Sequence, residues 1–537
     1  MACKLFLSAA LLLLLSALVG ASRSTGEATG GPRLRGSTKT AGGSFAPQRT
    51  NFLYHPGAIH QRLAVGGFHK QQHGDGAGNW MDSPWRRSSP VVRIPGDESD
   101  EGDFSIGMSM TRLSPDGQTM VSGHWLSRVA VVGTKSQAEQ VKAFQLHTFT
   151  YMDKLSRWIP QGHFTVSGDS ATCPECFDFI FSMEMASRSK VILQQGIGLD
   201  RGEVLLSKVQ VYSNEYVSRD VSPWLAVGPP IVPVDNSSFI RSVSIADEAT
   251  FVAEGVVVSV GLLPKDNVSP GSVQIWTPET EYHEEDQFLP KLKWVTVGSA
   301  IQGNNALFGF DIKLSRNGSI VAIVGSKDAP NSDDPRNLSC FIRVYKYSED
   351  DSEWMQMGQD LIQEKDKFMF FCPKISLAGD GLTVMSGYRA YEKGCDLQPE
   401  PNGHVRVWSW DASSENWNQK GLDLDGLFPT PDSPQDFVFG FDHRLSSDGN
   451  RVAISGYESV PLSRASDKAN VYYIVTFDWR DGNWTQVPGT VDSGVFASFA
   501  MDDAGTTLAV GNVLSESRTS GVIQSYKYRS WDDAVST

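Results

Sequence analysis

A short hairpin repeats along this chain, and that repetition constrains the fold more than any other feature. Its clearest copy is Phe437 to Gly456, FVFGFDHRLSSDGNRVAISG. Apolar residues alternate up to Leu445, Asp448-Gly449 supplies a turn, and Val452-Ala453-Ile454 continue beyond it. This is the pattern of two antiparallel strands joined by a tight turn. Further copies stand at LSPDG (113–117), LSRNG (314–318) and LAGDG (377–381). Three degenerate copies fit the same frame: SMEMASRSKVILQQG (182–196), read without a gap against SMTRLSPDGQTMVSG (109–123), SIADEATFVAEG (244–255) and MDDAGTTLAVG (501–511). Seven turn positions result, Asp116, Ser189, Glu248, Asn317, Asp380, Asp448 and Ala504, spaced about 56 to 73 residues apart.

A second strand pair follows each hairpin, seen best in IRVYKYSEDDSEWMQMG (342–358) and VRVWSWDASSENWNQKG (405–421). Its outer strand carries a recurring tryptophan, at Trp158, Trp224, Trp294, Trp354, Trp417 and Trp484, mostly as Trp-x-x-x-Gly. Four short strands per unit are the content of one propeller blade. A lone sheet of that size leaves both faces half bare, and stacking blades around an axis covers them. The last unit lacks its outer strand, whereas VVRIPG (91–96) resembles WTQVPG (484–489), with Val91 in the tryptophan's place. The sequence therefore predicts an all-β fold, a seven-bladed propeller over 85–530 whose N-terminal strand closes the last blade. Such a ring leaves no sheet edge open.

The flanks read differently. Lys4 precedes the apolar run Leu5 to Val19, and Gly20-Ala21 offers a small-residue cleavage site, so 1–21 reads as a signal peptide. Residues 22–50 read as a disordered linker, 51–84 as an irregular N-terminal segment and 531–537 as a tail. The apolar run is short for a span of roughly 20 residues. The expected location is secreted, extracellular or an endomembrane lumen, with membrane attachment only if the first segment is kept as an anchor. There, Asn236, Asn267, Asn317, Asn337 and Asn483, each in Asn-x-Ser/Thr, become glycosylation acceptors. A net charge of −15 argues against a nucleic-acid surface. It leaves extracellular protein or glycan as the partner.

The strongest copies read Phe-Gly-Phe-Asp, then Leu-Ser-x-Asp/Asn-Gly, Val-Ala-Ile and later Val-Arg-Val-Tyr/Trp. Phe308-Gly309-Phe310-Asp311 and Phe439-Gly440-Phe441-Asp442 carry the first part, with Arg343-Val344-Tyr345 and Arg406-Val407-Trp408 the last. This resembles the FG-GAP-type, integrin-alpha-like propeller repeat, in the version found in secreted and cell-surface proteins of algae and related protists. The resemblance implies adhesion or ligand binding at a cell surface. Calcium-binding members carry an Asp-x-Asp-x-Asp-Gly-type loop between the first two strands. Here a tight Asp-Gly turn leaves no room for five or more oxygen ligands, so calcium is not carried over.

Candidate chemistry is sparse. Cys173-Pro-Glu-Cys176 reads as a small loop-closing disulfide in an oxidising compartment, in preference to zinc or redox work. Folding the hairpin of the fifth unit about Asp380-Gly381 favours a Cys372–Cys395 bridge, with Cys340 able to displace either partner. Asp97, Ser99 and Glu101 alternate like the first half of an EF-type calcium loop, but Met108 stands where the bidentate glutamate belongs. No cofactor is expected, calcium being the lesser alternative. Asp423 and Asp425 are a weaker version of the same pattern, and His55, His60, His69 and His73 lack a setting that would hold them as ligands. Registering the inner strands on Leu445 puts Met110, Met183, Ser242, Asp311, Lys374, Asp442 and Ser498 at one level of the channel. Asp311, Lys374 and Asp442 are its polar candidates, a poor acid–base constellation.

The expected function is a non-catalytic binding or adhesion scaffold. Its contact surface is the face bearing the loops that lead into each blade and the insertions 388–403 and 457–469. One alternative is an extracellular carbohydrate-active hydrolase or lyase using channel or loop carboxylates. The other is a structural component of a wall or matrix.

Overall fold

The computed structural model describes residues 84–94, 105–106, 110–131, 138–166, 176–187, 190–199, 204–214, 224–233, 237–266, 268–281, 291–305, 307–326, 340–362, 372–387, 403–425, 437–461, 468–494, 498–513 and 521–529. Their strands form seven small antiparallel sheets, each ordered first to fourth strand from the inside outward. The chain is a seven-bladed β-propeller. The inner strands of blades 1 to 7 are Met110–Leu113, Cys176–Met185, Ser238–Ala246, Ile312–Leu314, Lys374–Leu377, Phe437–Leu445 and Ser498–Met501.

Blade 7 takes its second and third strands, Thr507–Val513 and Gly521–Tyr528, from the C-terminal end and its outer strand, Trp85–Arg87, from the N-terminal one. Ring closure stands, but its register differs from the expected one. Trp85 lies opposite Tyr528, as Trp484 lies opposite Trp479 and Trp417 opposite Trp410. Trp85 thus holds the tryptophan place, and Val91 is exposed ahead of a trailing strand, Val92–Ile94. Matching Pro95-Gly96 to Pro488-Gly489 had shifted the alignment by six residues.

The tryptophans recur because each clasps the blade before it. The indole nitrogens of Trp354, Trp417 and Trp484 donate to the carbonyls of Val297, Met357 and Lys420 at 2.8, 2.9 and 2.7 Å. Those carbonyls precede Gly298, Gly358 and Gly421, the glycines of the preceding Trp-x-x-x-Gly, over which the rings lie. Around the closure the acceptors become hydroxyls: Trp85 donates to Thr476, Trp158 to Ser525 and Trp224 to Thr148. Apolar packing follows the same logic. Seven buried clusters each join two neighbouring blades, and the one joining blades 7 and 1 holds Ala509 and Ile523 against Met120, Phe149 and Trp158.

The hairpin turn is longer than Asp448-Gly449 alone suggests. Ser446 and Arg451 close a four-residue loop, the Gly449 N–H donates to the Ser446 carbonyl, and Gly449 takes φ +67°. Asp448 accepts from the Ser446 hydroxyl and the Asn450 N–H, so its carboxylate caps the turn. In blade 3 the loop is longer still. The second strand is Val257–Pro264, so Phe251 to Gly255 belong to the loop and Gly255 is a turn glycine, not a strand end.

The variable residue of Leu-Ser-x-Asp-Gly has a role of its own. The N–H of Arg316 donates to Gly379 O, Gly379 N–H to Ser447 O, Ser447 N–H to Asp503 O, and Asp503 N–H to Pro115 O, all at 2.7–2.9 Å. These bonds link the turns of blades 4, 5, 6, 7 and 1 around one end of the axis. A Cβ at Gly379 would come within 1.9 Å of the Ser447 hydroxyl oxygen, so the close approach requires glycine. The Arg316 side chain then bridges Glu248 of blade 3 at 2.8 Å and Asp503 of blade 7 at 2.5 Å.

Cys372 pairs with Cys340, not Cys395, across a Cα separation of 5.5 Å. Cys340 opens the third strand of blade 4 and Cys372 leads into blade 5, so the bridge joins two blades instead of closing one hairpin. Cys173 and Cys395 lie outside the described residues, as do Asp97, Ser99, Glu101, the four N-terminal histidines, Asn236, Asn267, Asn337 and all residues before 84. Asn317 and Asn483 are exposed. The presumed insertion 457–469 is largely ribbon: Tyr457 to Pro461 pair with Lys468 to Tyr472. A longer ribbon in blade 1 carries Val131 opposite Ala138. Both extend on the side away from the linked turns.

Candidate functional site: the axial channel

Each inner strand has one edge unpaired by its own sheet, so its free N–H and C=O groups need partners. Side chains of the neighbouring blade supply several. Ser498 accepts from the Thr111 N–H, Ser244 from the Leu314 N–H and Asp311 from the Ile375 N–H, at 2.9–3.1 Å. Ser376 donates to the His443 carbonyl at 3.0 Å. These bonds lock the inner strands into a rigid polar wall.

Counting back from the turns gives two levels. The outer one holds Met110, Ser182, Ser242, Asp311, Lys374, Asp442 and Ser498, as expected except that Ser182 replaces Met183, which is buried between blades. The inner level, two residues nearer the turns, holds Arg112, Glu184, Ser244, Lys313, Ser376, Arg444 and Ala500. Its four charged groups escaped the sequence reading. The gapless match of 182–196 to 109–123 placed Glu184 on Thr111. The blade 2 loop is one residue shorter and the strand is bulged between Ile180 and Ser182, and a one-residue slip moves a side chain to the other face.

Glu184 and Lys313 form the central pair, at 2.5 Å. They come from blades 2 and 4, so the contact reaches past blade 3, whose Ser244 is small and occupied with Leu314. Arg112 approaches Glu184 from the other side at 3.8 Å. Burial alone would raise the Glu184 carboxyl, but Lys313 and Arg112 outweigh it and hold it at about 2. Arg444 makes a bidentate pair with Asp442, at 2.7 and 3.1 Å, and adds a bond to the His443 carbonyl. Burial opposes ionisation of Asp442, yet Arg444 and Lys374 keep its carboxyl well below the usual range.

Asp311 behaves oppositely. Burial pushes its carboxyl up, and Lys313 and the Ile375 N–H only partly compensate. His443 is buried against blade 5, with Nε2 donating to the Lys374 carbonyl and Nδ1 lying 3.0 Å from the Ser376 hydroxyl. Burial brings it down to about 4, so the ring is neutral at physiological pH. Arg241, the bulged residue of blade 3, lies over the Phe310 ring at 4.4 Å and next to Asp311.

Of the three expected channel residues, Asp311 is half-buried and capping backbone, Asp442 is paired, and Lys374 is the exposed one. Asp423, offered as a calcium ligand, is instead gripped by Arg406 at 2.6 Å through both oxygens. Among the described residues no three His, Cys, Asp or Glu side chains converge as a metal site requires.

No family profile matches the chain, and no curated protein does. Solved structures match at low similarity. The WD40 domain of SCAP from fission yeast is 7% identical, covering 82% of this chain and 98% of that one at a TM-score of 0.36. The α-L-arabinofuranosidase Arb93A from Fusarium graminearum is 10% identical, covering 82% and 96% at 0.31. The lectin of Aleuria aurantia is 9% identical, covering 73% and 96% at 0.32. All three TM-scores lie below 0.5, and the likenesses carry no argument here.

Proposed function

We propose that this chain is a non-catalytic binding scaffold of the FG-GAP, integrin-alpha-like kind, secreted or displayed at a cell surface, taking an extracellular protein or glycan. One observation carries the reading: every described channel carboxylate is already engaged. Glu184 is held by Lys313, Asp442 by Arg444, and Asp311 by the backbone of blade 5. A general base or nucleophile must be within reach of its substrate's proton or electrophile, and these groups are spent on the ring itself. The ribbons of blades 1 and 6 add reach on the face away from the linked turns, where a rigid support presents variable loops. The exposed Asn317 and Asn483 fit a glycoprotein. Array binding of the purified protein to glycans and extracellular proteins, with and without calcium, tests the proposal. Selective binding without turnover supports it, and turnover of a polysaccharide overturns it.

A specific observation favours a second reading, a hydrolase or lyase. Asp311 is pushed up while Glu184 and Asp442 are pushed down within one channel, and separated carboxyl groups of this kind mark acid–base pairs. Loss of polysaccharide turnover in Asp311→Asn, with the fold retained, is the result that would establish it.

A further inference from the structure

The channel groups do not balance. Arg112, Arg241, Lys313, Lys374 and Arg444 face three carboxylates, Glu184, Asp311 and Asp442. Among the described residues basic groups thus outnumber acidic ones along the axis, in a chain whose net charge is −15. Arg112 is incompletely satisfied. Its Nη1 donates to its neighbour's carbonyl, Thr111 O, at 2.9 Å, Nη2 stands 3.8 Å from Glu184, and the buried Nε has no hydrogen-bond partner. A half-buried guanidinium with its buried Nε unsatisfied carries a desolvation cost that a matching anion would relieve. Burial pulls Arg112 down, Glu184 and Asp442 offset part of that, and Arg444 adds to the lowering, which places the two arginines in each other's field. Blade 7 stands between their blades, and at this level it contributes no polar group: its residue is Ala500, whose methyl is buried with the apolar cluster of blades 7 and 1. Two guanidinium groups with no acid of blade 7 between them are a cationic gap.

We propose that the axial channel is a receptor for one oxyanion, a carboxylate, sulfate or phosphate group, seated between Arg112 and Arg444 at the level of Ala500. Guanidinium forks match the two-oxygen edge of such groups. The neighbouring Glu184 sets the affinity by competing for Arg112 and Lys313. The linked turns and the Arg316 bridge lie beyond the inner level, so the anion arrives from the outer level, past Lys374 and Asp442. This site stands on the channel geometry and not on an extracellular role, so an empty binding array leaves it intact.

Calorimetric titration of the purified protein with sodium sulfate, sodium phosphate and sodium glucuronate, each against sodium chloride at equal ionic strength, tests it. At least one oxyanion is expected to bind saturably at one per chain, at least tenfold more weakly in Arg112→Gln and at least tenfold more tightly in Glu184→Gln. Preference for glucuronate identifies a sugar acid as the source, and preference for sulfate or phosphate identifies a free or esterified inorganic group. Arg112→Lys, which keeps the charge but loses the fork, is expected to fold and to bind at least tenfold more weakly, which keeps the test open if Arg112→Gln does not fold. No saturable binding by the unaltered protein, or binding unchanged in Arg112→Gln or Arg112→Lys, overturns the proposal.

Discussion

The indole nitrogen of Trp484 donates to the backbone carbonyl of Lys420, 2.7 Å away and one blade back, while the Trp484 ring covers Gly421. One residue thus pairs within its own sheet and clasps the one before. A Cβ at Gly421 would come within 2.7 Å of the Trp479 ring and 2.9 Å of Trp484, at a φ of +77° that disfavours any other residue. Gly421→Ala is expected to destabilise by about 2–4 kcal/mol, strain and overpacking combined. Trp484→Phe, which removes only the donor, should cost about 1 kcal/mol. Urea unfolding measures both, and equal effects would remove the distinction between clasp and spacer.

Ring closure by Trp85 gives a sharp boundary. Removing residues 1–83 keeps the outer strand of blade 7, whereas removing 1–94 strips it, exposes the edge of Gly521–Tyr528 and should lower the melting temperature relative to the shorter truncation. Trp85→Ala alone should cost about 3–5 kcal/mol, since the ring is buried and bonded to Thr476. Scanning calorimetry and light scattering on the two truncations decide the matter. A 95–537 chain that stays monomeric and melts normally rules the closure out.

The Cys340–Cys372 bridge closes a 32-residue separation across two blades. Chain entropy assigns such a loop about 3–4 kcal/mol. Cys340→Ser and Cys372→Ser should each lose most of that, and Cys395→Ser should lose little. Non-reducing peptide mapping should recover the 340–372 pair, and recovery of 372–395 instead would reject the assignment.

Acid sensitivity follows in two windows. His443 stays neutral in the folded ring down to about pH 4 but takes a proton near 6.5 when unfolded. The unfolded state therefore binds more protons between those values, and stability falls as pH drops from about 6.5 to 4. The full loss is about 3 kcal/mol. Glu184 stays ionised down to about 2 against 4.5 unfolded, so a second loss runs from about 4.5 to 2. His443→Asn should flatten the upper window and Glu184→Gln the lower one, read as urea midpoints against pH. Indistinguishable curves for the three proteins would exclude both groups.

The blades were legible because their signals are local. The turn at Asp448-Gly449 and the Trp-x-x-x-Gly spacing are fixed within a few residues, and seven registered copies then imply a ring. What escaped was whatever depends on a neighbouring blade. Trp85 lacks the following glycine, and the Trp158 of blade 1 bonds the Ser525 hydroxyl instead of a carbonyl there, so a Pro-Gly match suggested the wrong register. Glu184 vanished behind a loop one residue shorter than its counterparts. The Cys340–Cys372 pair joins residues of different units, where a hairpin argument weighs only partners within one. The channel charges shared that fate: Asp311 and Asp442 could be read off their strands, but the reach of Lys313 to Glu184 past a whole blade could not.

The linked turns carry one more consequence, and it begins with a proline. Pro115 accepts from Asp503 but has no N–H of its own, so the series of bonds that starts at Arg316 ends there. Around that end of the axis, blades 4, 5, 6, 7 and 1 are thus tied by one continuous run of backbone bonds. Elsewhere side chains add to the joints, as where Gln194 donates to the Ile240 carbonyl and Ser207 accepts from the Ile240 N–H between blades 2 and 3. Backbone masonry of this kind makes five blades bear load together, so a pull on one turn is shared by its neighbours.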